Sequence, residues 1–138
     1  MSFHGSRIGA MIFDEVEVRP IPGYEGRYWI AADGEVVSRR TGDWATLAVH
    51  AGIRMIGVQC ERCKRQHIHP AHLALALAWL PPPTRFPVRS KHINRDKPLH
   101  PSNVRWEDAD PWARRAVFAP ILECPKIKAL RPLEKVSL

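Results

Sequence analysis

The chain has 138 residues, 45% of them hydrophobic, and its 21 basic side chains outnumber 14 acidic ones for a formal charge of +7. That length matches one compact domain of about 100–150 residues and excludes a barrel enzyme, which needs about 250. No apolar run approaches the roughly 20 residues of a membrane span, no signal-peptide pattern opens the chain, and its three cysteines are too few for a disulfide scaffold; the expectation is a soluble cytoplasmic protein that is not membrane-bound.

Residues 1–14 read as a flexible start carrying Ser2, Gly5 and Ser6. Val16 and Val18 alternate with polar residues before Pro20 and Pro22, which predicts an edge strand from Glu15 to Ile21. Gly23 and Gly26 then permit a tight turn, and Asp33-Gly34 signals a hairpin between Tyr28–Ala31 and Glu35–Ser38. After a second turn at Arg39 to Asp43, two further strands are expected at Arg54 to Cys60 and Arg65 to His69. Pro70 suits the first position of a helix running through His72 to Leu80, and Pro81-Pro82-Pro83 ends it. A short strand at Val88 to Ile93, a polar turn at Asn94-Arg95-Asp96 and an extended piece at Asn103 to Trp106 follow. Asp108 or Asp110 is expected to cap a last helix, with Pro111 in its first turn and Trp112, Val117 and Phe118 along it. Trp79, Trp106 and Trp112 are expected in the core. Residues 119–138, rich in proline and lysine, read as an extended arm open to a protein partner. The segregated order of strands and helices is that of an α+β fold.

The charge is unevenly spread. Residues 1–50 carry five basic and seven acidic side chains, whereas residues 51–106 carry ten basic and two acidic ones. Cations interleaved with Trp79, Phe86, His92 and Trp106 suit a polyanion, because releasing counterions from phosphates drives sequence-independent nucleic-acid binding. The plainer alternative is a solvated basic face.

Two stretches carry a resemblance. Ile21-Pro-Gly-Tyr24-Glu-Gly-Arg-Tyr28-Trp-Ile-Ala-Ala-Asp33-Gly34-Glu-Val36-Val-Ser38 resembles the NUMOD-type motif that precedes the catalytic module of many phage and intron-encoded HNH endonucleases. Downstream, His72 to Leu80, the proline run, Val88, His92-Ile93 and Asn103-Val104-Arg105-Trp106 resemble the HNH (His-Me finger) module of the same homing-type proteins. The resemblance implies a β-hairpin-rich motif over residues 15–50 and a ββα-metal module over residues 51–118. It further implies a phage-type protein in the host cytoplasm that nicks double-stranded DNA by metal-assisted phosphodiester hydrolysis. His92 falls on the general base and Asn103 on the asparagine that positions it. Arg85, Arg89, Lys91, Arg95, Lys97 and Arg105 would meet the nucleic acid, and Mg²⁺ or a similar hard ion would stabilise the leaving oxygen.

The sequence also departs from the family pattern. Lys91 stands where an acidic or histidine metal ligand commonly precedes the base, and Trp112 falls near the position of the last ligand. Glu107, Asp108 or Asp110 would have to supply oxygen ligands instead. These departures argue for impaired cleavage, leaving as an alternative a degenerate HNH fold that binds DNA or a protein without chemistry.

Cys60-Glu-Arg-Cys63, followed by His67, His69 and His72, has the look of half a zinc site, which one histidine and Cys124 would complete as a structural staple. The other reading is a turn that merely carries two cysteines.

Overall fold

The computed structural model describes residues 9–124. Met11 and Phe13 point inward and Ile12 outward, and this period of two builds an antiparallel pair, β1 (Met11–Phe13) and β2 (Val16–Pro20). β3 (Tyr28–Ala31), β4 (Val36–Ser38) and β5 (Asp43–Trp44) extend it into a five-stranded sheet in chain order, antiparallel throughout. β2 is therefore an inner strand rather than the expected edge, because β1 covers its outer side and buries Met11 and Phe13 against Val18, Trp29 and Val37. The Asp33-Gly34 turn forms as the sequence indicates. Gly34 has φ +88°, and a Cβ there would lie 2.9 Å from Leu99 Cδ1, so the turn accepts little else.

A second, three-stranded sheet contains β6 (Ala48–His50), β7 (Ile53–Gln59) and β8 (Gln66–Pro70). β6 leaves no alternation in the sequence because all three of its residues are exposed; the Ala51-Gly52 turn, with φ of 53° and 77°, folds it back onto β7. Pro70 closes β8 and serves as the N-cap of α1 (Ala71–Trp79), one position earlier than its expected place inside the helix. Apolar residues occur on every side of α1, which fits its setting: it packs on β3, β7, β8, β9 and β10. Ala71, Ala74 and Leu75 join Ile21, Ile30, Val36, Ile56, Val58, Val104 and Leu122 in the main core. Trp79 Nε1 donates to the Ile30 carbonyl at 2.9 Å, and the Arg19 guanidinium lies 3.9 Å from the Trp79 ring centre.

β9 (Val88–His92) and β10 (Val104–Asp108) pair antiparallel, separated by a loop that ends in a 3-10 turn over Pro101–Asn103. The helix expected after β10 is not formed. Asp110 caps one turn only: its Oδ1 accepts the Trp112 N–H at 2.9 Å and its carbonyl accepts the Ala113 N–H at 2.9 Å. The chain then pairs Val117 with Val88, through bonds of 2.7 and 3.0 Å, and this pairing on the outer edge of β9 wins over helix propagation. Trp112 consequently lies outside the core, 65% exposed. Residues 119–124 are no free arm either, since Leu122 and Cys124 are buried and the Leu122 N–H donates to the Pro22 carbonyl at 2.8 Å. The remainder of the expected arm, and residues 1–8 of the expected flexible start, lie outside the described residues. The architecture is α+β, sheet-rich, with one α-helix among the described residues, and no helix is long and apolar enough to cross a membrane.

Candidate nucleic-acid interface and metal centre

Strand alternation gives the β9–β10 pair two unlike faces. Arg89 and Lys91 share one with their register partners Glu107 and Arg105, while Ser90 and His92 share the other with Val104. The His92 Nε2–H donates to the Lys97 carbonyl at 2.9 Å, so the neutral ring keeps its lone pair on Nδ1. Asn103 makes no hydrogen bond to that ring. Its amide nitrogen donates to the carbonyls of Asn94, Pro98 and Lys97 at 3.0, 3.0 and 3.3 Å, and its Oδ1 accepts the Asn94 N–H at 3.0 Å. Asn103 thus braces the 94–98 loop, including the carbonyl that holds His92. On the neighbouring helix, His72 Nδ1 and Ser90 Oγ are hydrogen-bonded at 2.7 Å. Burial, then the charges of Arg115, His92 and Arg95, push the His72 imidazole down to about 4, so it is neutral at neutral pH.

His72, Ser90 and His92 line a cleft of about 740 Å³. Arg89, Lys91, Arg95 and Lys97 reach it from β9 and its following loop, as the sequence reading expects; Arg54 comes from β7, and Arg114 and Arg115 come from the turns after β10. Against these seven cations stand two carboxylates, Asp96 and Glu107. Glu107 is already engaged, with Arg105 at 2.8 Å, Arg89 at 3.3 Å and Lys91 at 3.9 Å, and the Arg105 hydrogen bond leads in holding its carboxyl below the usual range. Among the described residues Arg95, Lys97, Arg114 and Arg115 have no carboxylate within ion-pair distance. All four are exposed, and clustered cations without counter-charges form a site for phosphate groups.

Other expected positions lie elsewhere. Arg85 is outside the cleft, paired with Asp108 at 2.8 Å, and Arg105 is turned to Glu107. Asp108 and Asp110 do not line the cleft; the first is held by Arg85 and the second by its own turn. Sequence reasoning missed Arg54, Arg114, Arg115, His72 and Ser90 as cleft residues. The Arg114-Arg115 doublet was a legible signal hidden by the wrong secondary structure, whereas nothing local marks Arg54.

A second cluster sits away from the cleft. The donor atoms of Cys60, Cys63, His67 and Cys124 all lie within 4.8 Å of one another, a group that can hold a metal ion. His67 Nε2 is 2.9 Å from Cys63 Sγ and 3.5 Å from Cys124 Sγ. Burial works to raise the Cys60 thiol, but the backbone N–H groups of Cys63 and Arg62 and the thiols of Cys124 and Cys63 outweigh it and bring it to about 7. Of the three histidines the sequence offered, the fold selects His67; His69 is buried elsewhere on β8 and His72 faces Ser90.

No protein-family model matches the chain and no curated protein matches it in sequence. Among solved structures, the chain is similar to the HNH homing endonuclease I-HmuI, in a structure describing its DNA binding and cleavage, at a TM-score of 0.55 and 20% identity. The fold is HNH-like. The match covers 88% of this chain and 60% of the other, so this HNH-like chain spans less than two thirds of that endonuclease's length.

Proposed function

We propose that this chain is a DNA-binding protein of the HNH endonuclease type, with residues 15–50 as a NUMOD-type unit, residues 51–118 as the HNH module and a phage or mobile-element origin. The observation that carries the reading is the His92 imidazole, its Nε2 fixed by the Lys97 carbonyl, in a cleft lined by seven cations. Duplex backbone lies in that cleft. Arg95, Lys97, Arg114 and Arg115 neutralise the phosphates and stabilise charge building on the phosphoryl oxygens; His92 Nδ1 takes a proton from the attacking water as its oxygen bonds to phosphorus, and the bond from phosphorus to the bridging sugar oxygen breaks, that oxygen leaving with a proton from solvent.

The hard ion that HNH nucleases use finds a poor donor set in this cleft. Lys91 and six other cations line it, Glu107 is engaged by three of its basic neighbours, and Asp108 and Asp110 lie outside it, which leaves Asp96, among the described residues, as the one carboxylate there without an ion pair; the residues present do not fit that ion. The same facts favour a second reading, a fold that grips DNA without cutting it. Nicking of supercoiled plasmid with Mg²⁺ or Mn²⁺, beside a chelator control, separates the two. The endonuclease reading expects nicking that His92→Ala abolishes while duplex binding persists; undiminished nicking in that variant removes His92 from the mechanism. Cutting that appears only in Lys91→Asp identifies a disarmed site, and cutting in neither leaves binding as the function.

A further inference from the structure

We infer that Cys60, Cys63, His67 and Cys124 form a structural zinc site that clamps the segment around Cys124 across the fold. This inference is independent of the nuclease reading. Three thiols and one imidazole nitrogen converge from three separate parts of the chain: the turn between β7 and β8, strand β8, and the segment that follows Val117. Three sulfurs and one nitrogen are the soft, four-donor set that zinc takes in closed structural sites. A tetrahedron with metal–sulfur bonds of about 2.3 Å has edges of roughly 3.8 Å, and the observed donors lie within 4.8 Å of one another. Cys60 and Cys124 are buried, and Cys63 and His67 are half-buried, so the ion would be shielded from exchange with solvent. Two backbone N–H groups aimed at the Cys60 sulfur supply the outer support that a thiolate ligand needs.

The position of Cys124 gives the site its purpose. His67 and Cys124 stand 57 residues apart, and the loop between them contains α1 and the whole β9–β10 pair. Closing so long a loop removes many unfolded conformations, which is where a metal clip stabilises most. Next to Cys124, Leu122 fills the main core and its N–H holds the Pro22 carbonyl; further back, Val117 pairs with β9. Zinc therefore secures both the seam between the two halves of the chain and the outer edge of the strand bearing His92.

The test uses the full-length chain purified without chelator, with metal content measured by plasma mass spectrometry. One zinc per chain is expected, and Co²⁺ added to the apoprotein should give the intense visible bands of tetrahedral thiolate coordination. Removing zinc with a chelator should lower the melting temperature and speed hydrogen exchange at the Leu122 and Val117 amides. Cys124→Ser should lose those cobalt features or bind the metal at least tenfold more weakly. Should that variant fail to fold, the wild-type metal count and cobalt spectrum still decide. Zinc-free protein with a spectrum lacking thiolate bands, or a Cys60–Cys63 disulfide found by thiol counting, would overturn the site. A bound zinc whose removal changes neither melting nor exchange would overturn the clamp. None of these readouts requires DNA or catalytic activity.

Discussion

Replacing Asn103 with alanine removes four hydrogen bonds from one loop. A neutral hydrogen bond contributes about 0.5–1.5 kcal/mol net, but the loss here falls short of four full bonds. The Asn94 carbonyl keeps the Lys97 N–H at 3.1 Å, and the Lys97 carbonyl keeps His92; water reaches the rest. We expect a loss of about 2 kcal/mol, which at a urea m-value of about 2 kcal/mol/M moves the unfolding midpoint down by about 1 M. Asn103→Asp should cost more than alanine, because a carboxylate would face three carbonyl oxygens while satisfying only the Asn94 N–H. The Lys97 carbonyl would also lose part of its support, so the fraction of His92 protonated on Nε2, read from long-range nitrogen–proton NMR, should fall in both variants. A midpoint shift below about 0.25 M, equivalent to 0.5 kcal/mol at that slope, or an aspartate variant as stable as wild type, would refute the bracing role.

Three further outcomes follow from other parts of the fold. His72 titrates near 4 when folded against an ordinary 6.5, so between these values the unfolded chain binds a proton that the folded chain does not. Stability should therefore fall as pH drops from about 6.5 towards 4, by up to about 3 kcal/mol, and His72→Gln should flatten this dependence in urea titrations; a parallel curve would contradict it. Duplex binding should weaken steeply with salt, and Arg95→Ala combined with Arg115→Ala should reduce the log–log slope by about 1.8, at roughly 0.9 per phosphate contact; an unchanged slope would exclude the cleft as the backbone site. Gly23→Ala should destabilise by at least about 1–2 kcal/mol, because φ is +97° and the new Cβ would lie 3.0 Å from the Leu122 carbonyl oxygen. Gly57→Ala, which meets only the flexible Gln66 side chain, should cost less in the same denaturation assay.

What the sequence made legible was local. The Asp33-Gly34 turn, the proline stop after Trp79 and the two strands around the Cys60–Cys63 connection each rest on a few neighbouring residues, and each formed. β1 and β6 were not read as strands: β1 is only three residues long, and β6 is exposed throughout. The missing last helix has a non-local cause. Asp110 and Pro111 carry a sound start signal, but Val117 finds an open strand edge and the local preference loses to that pairing. The candidate site divides in the same way. His92 and the cations of β9 were visible in a short motif, whereas Arg54 reaches the cleft through sheet topology alone. Cys60 and Cys63 announced half a tetrad; choosing His67 and adding Cys124 required the fold.

The single bridge from Val117 to Val88 has a consequence for solubility. One side of β9 is paired with β10, and without Val117 the Val88 amide and carbonyl on the other side would be bare to any passing strand. A chain truncated before Ala116 would keep His92 and all seven cleft cations yet acquire a sticky flank. It should self-associate in proportion to its concentration, an outcome that size-exclusion chromatography beside the full chain would show.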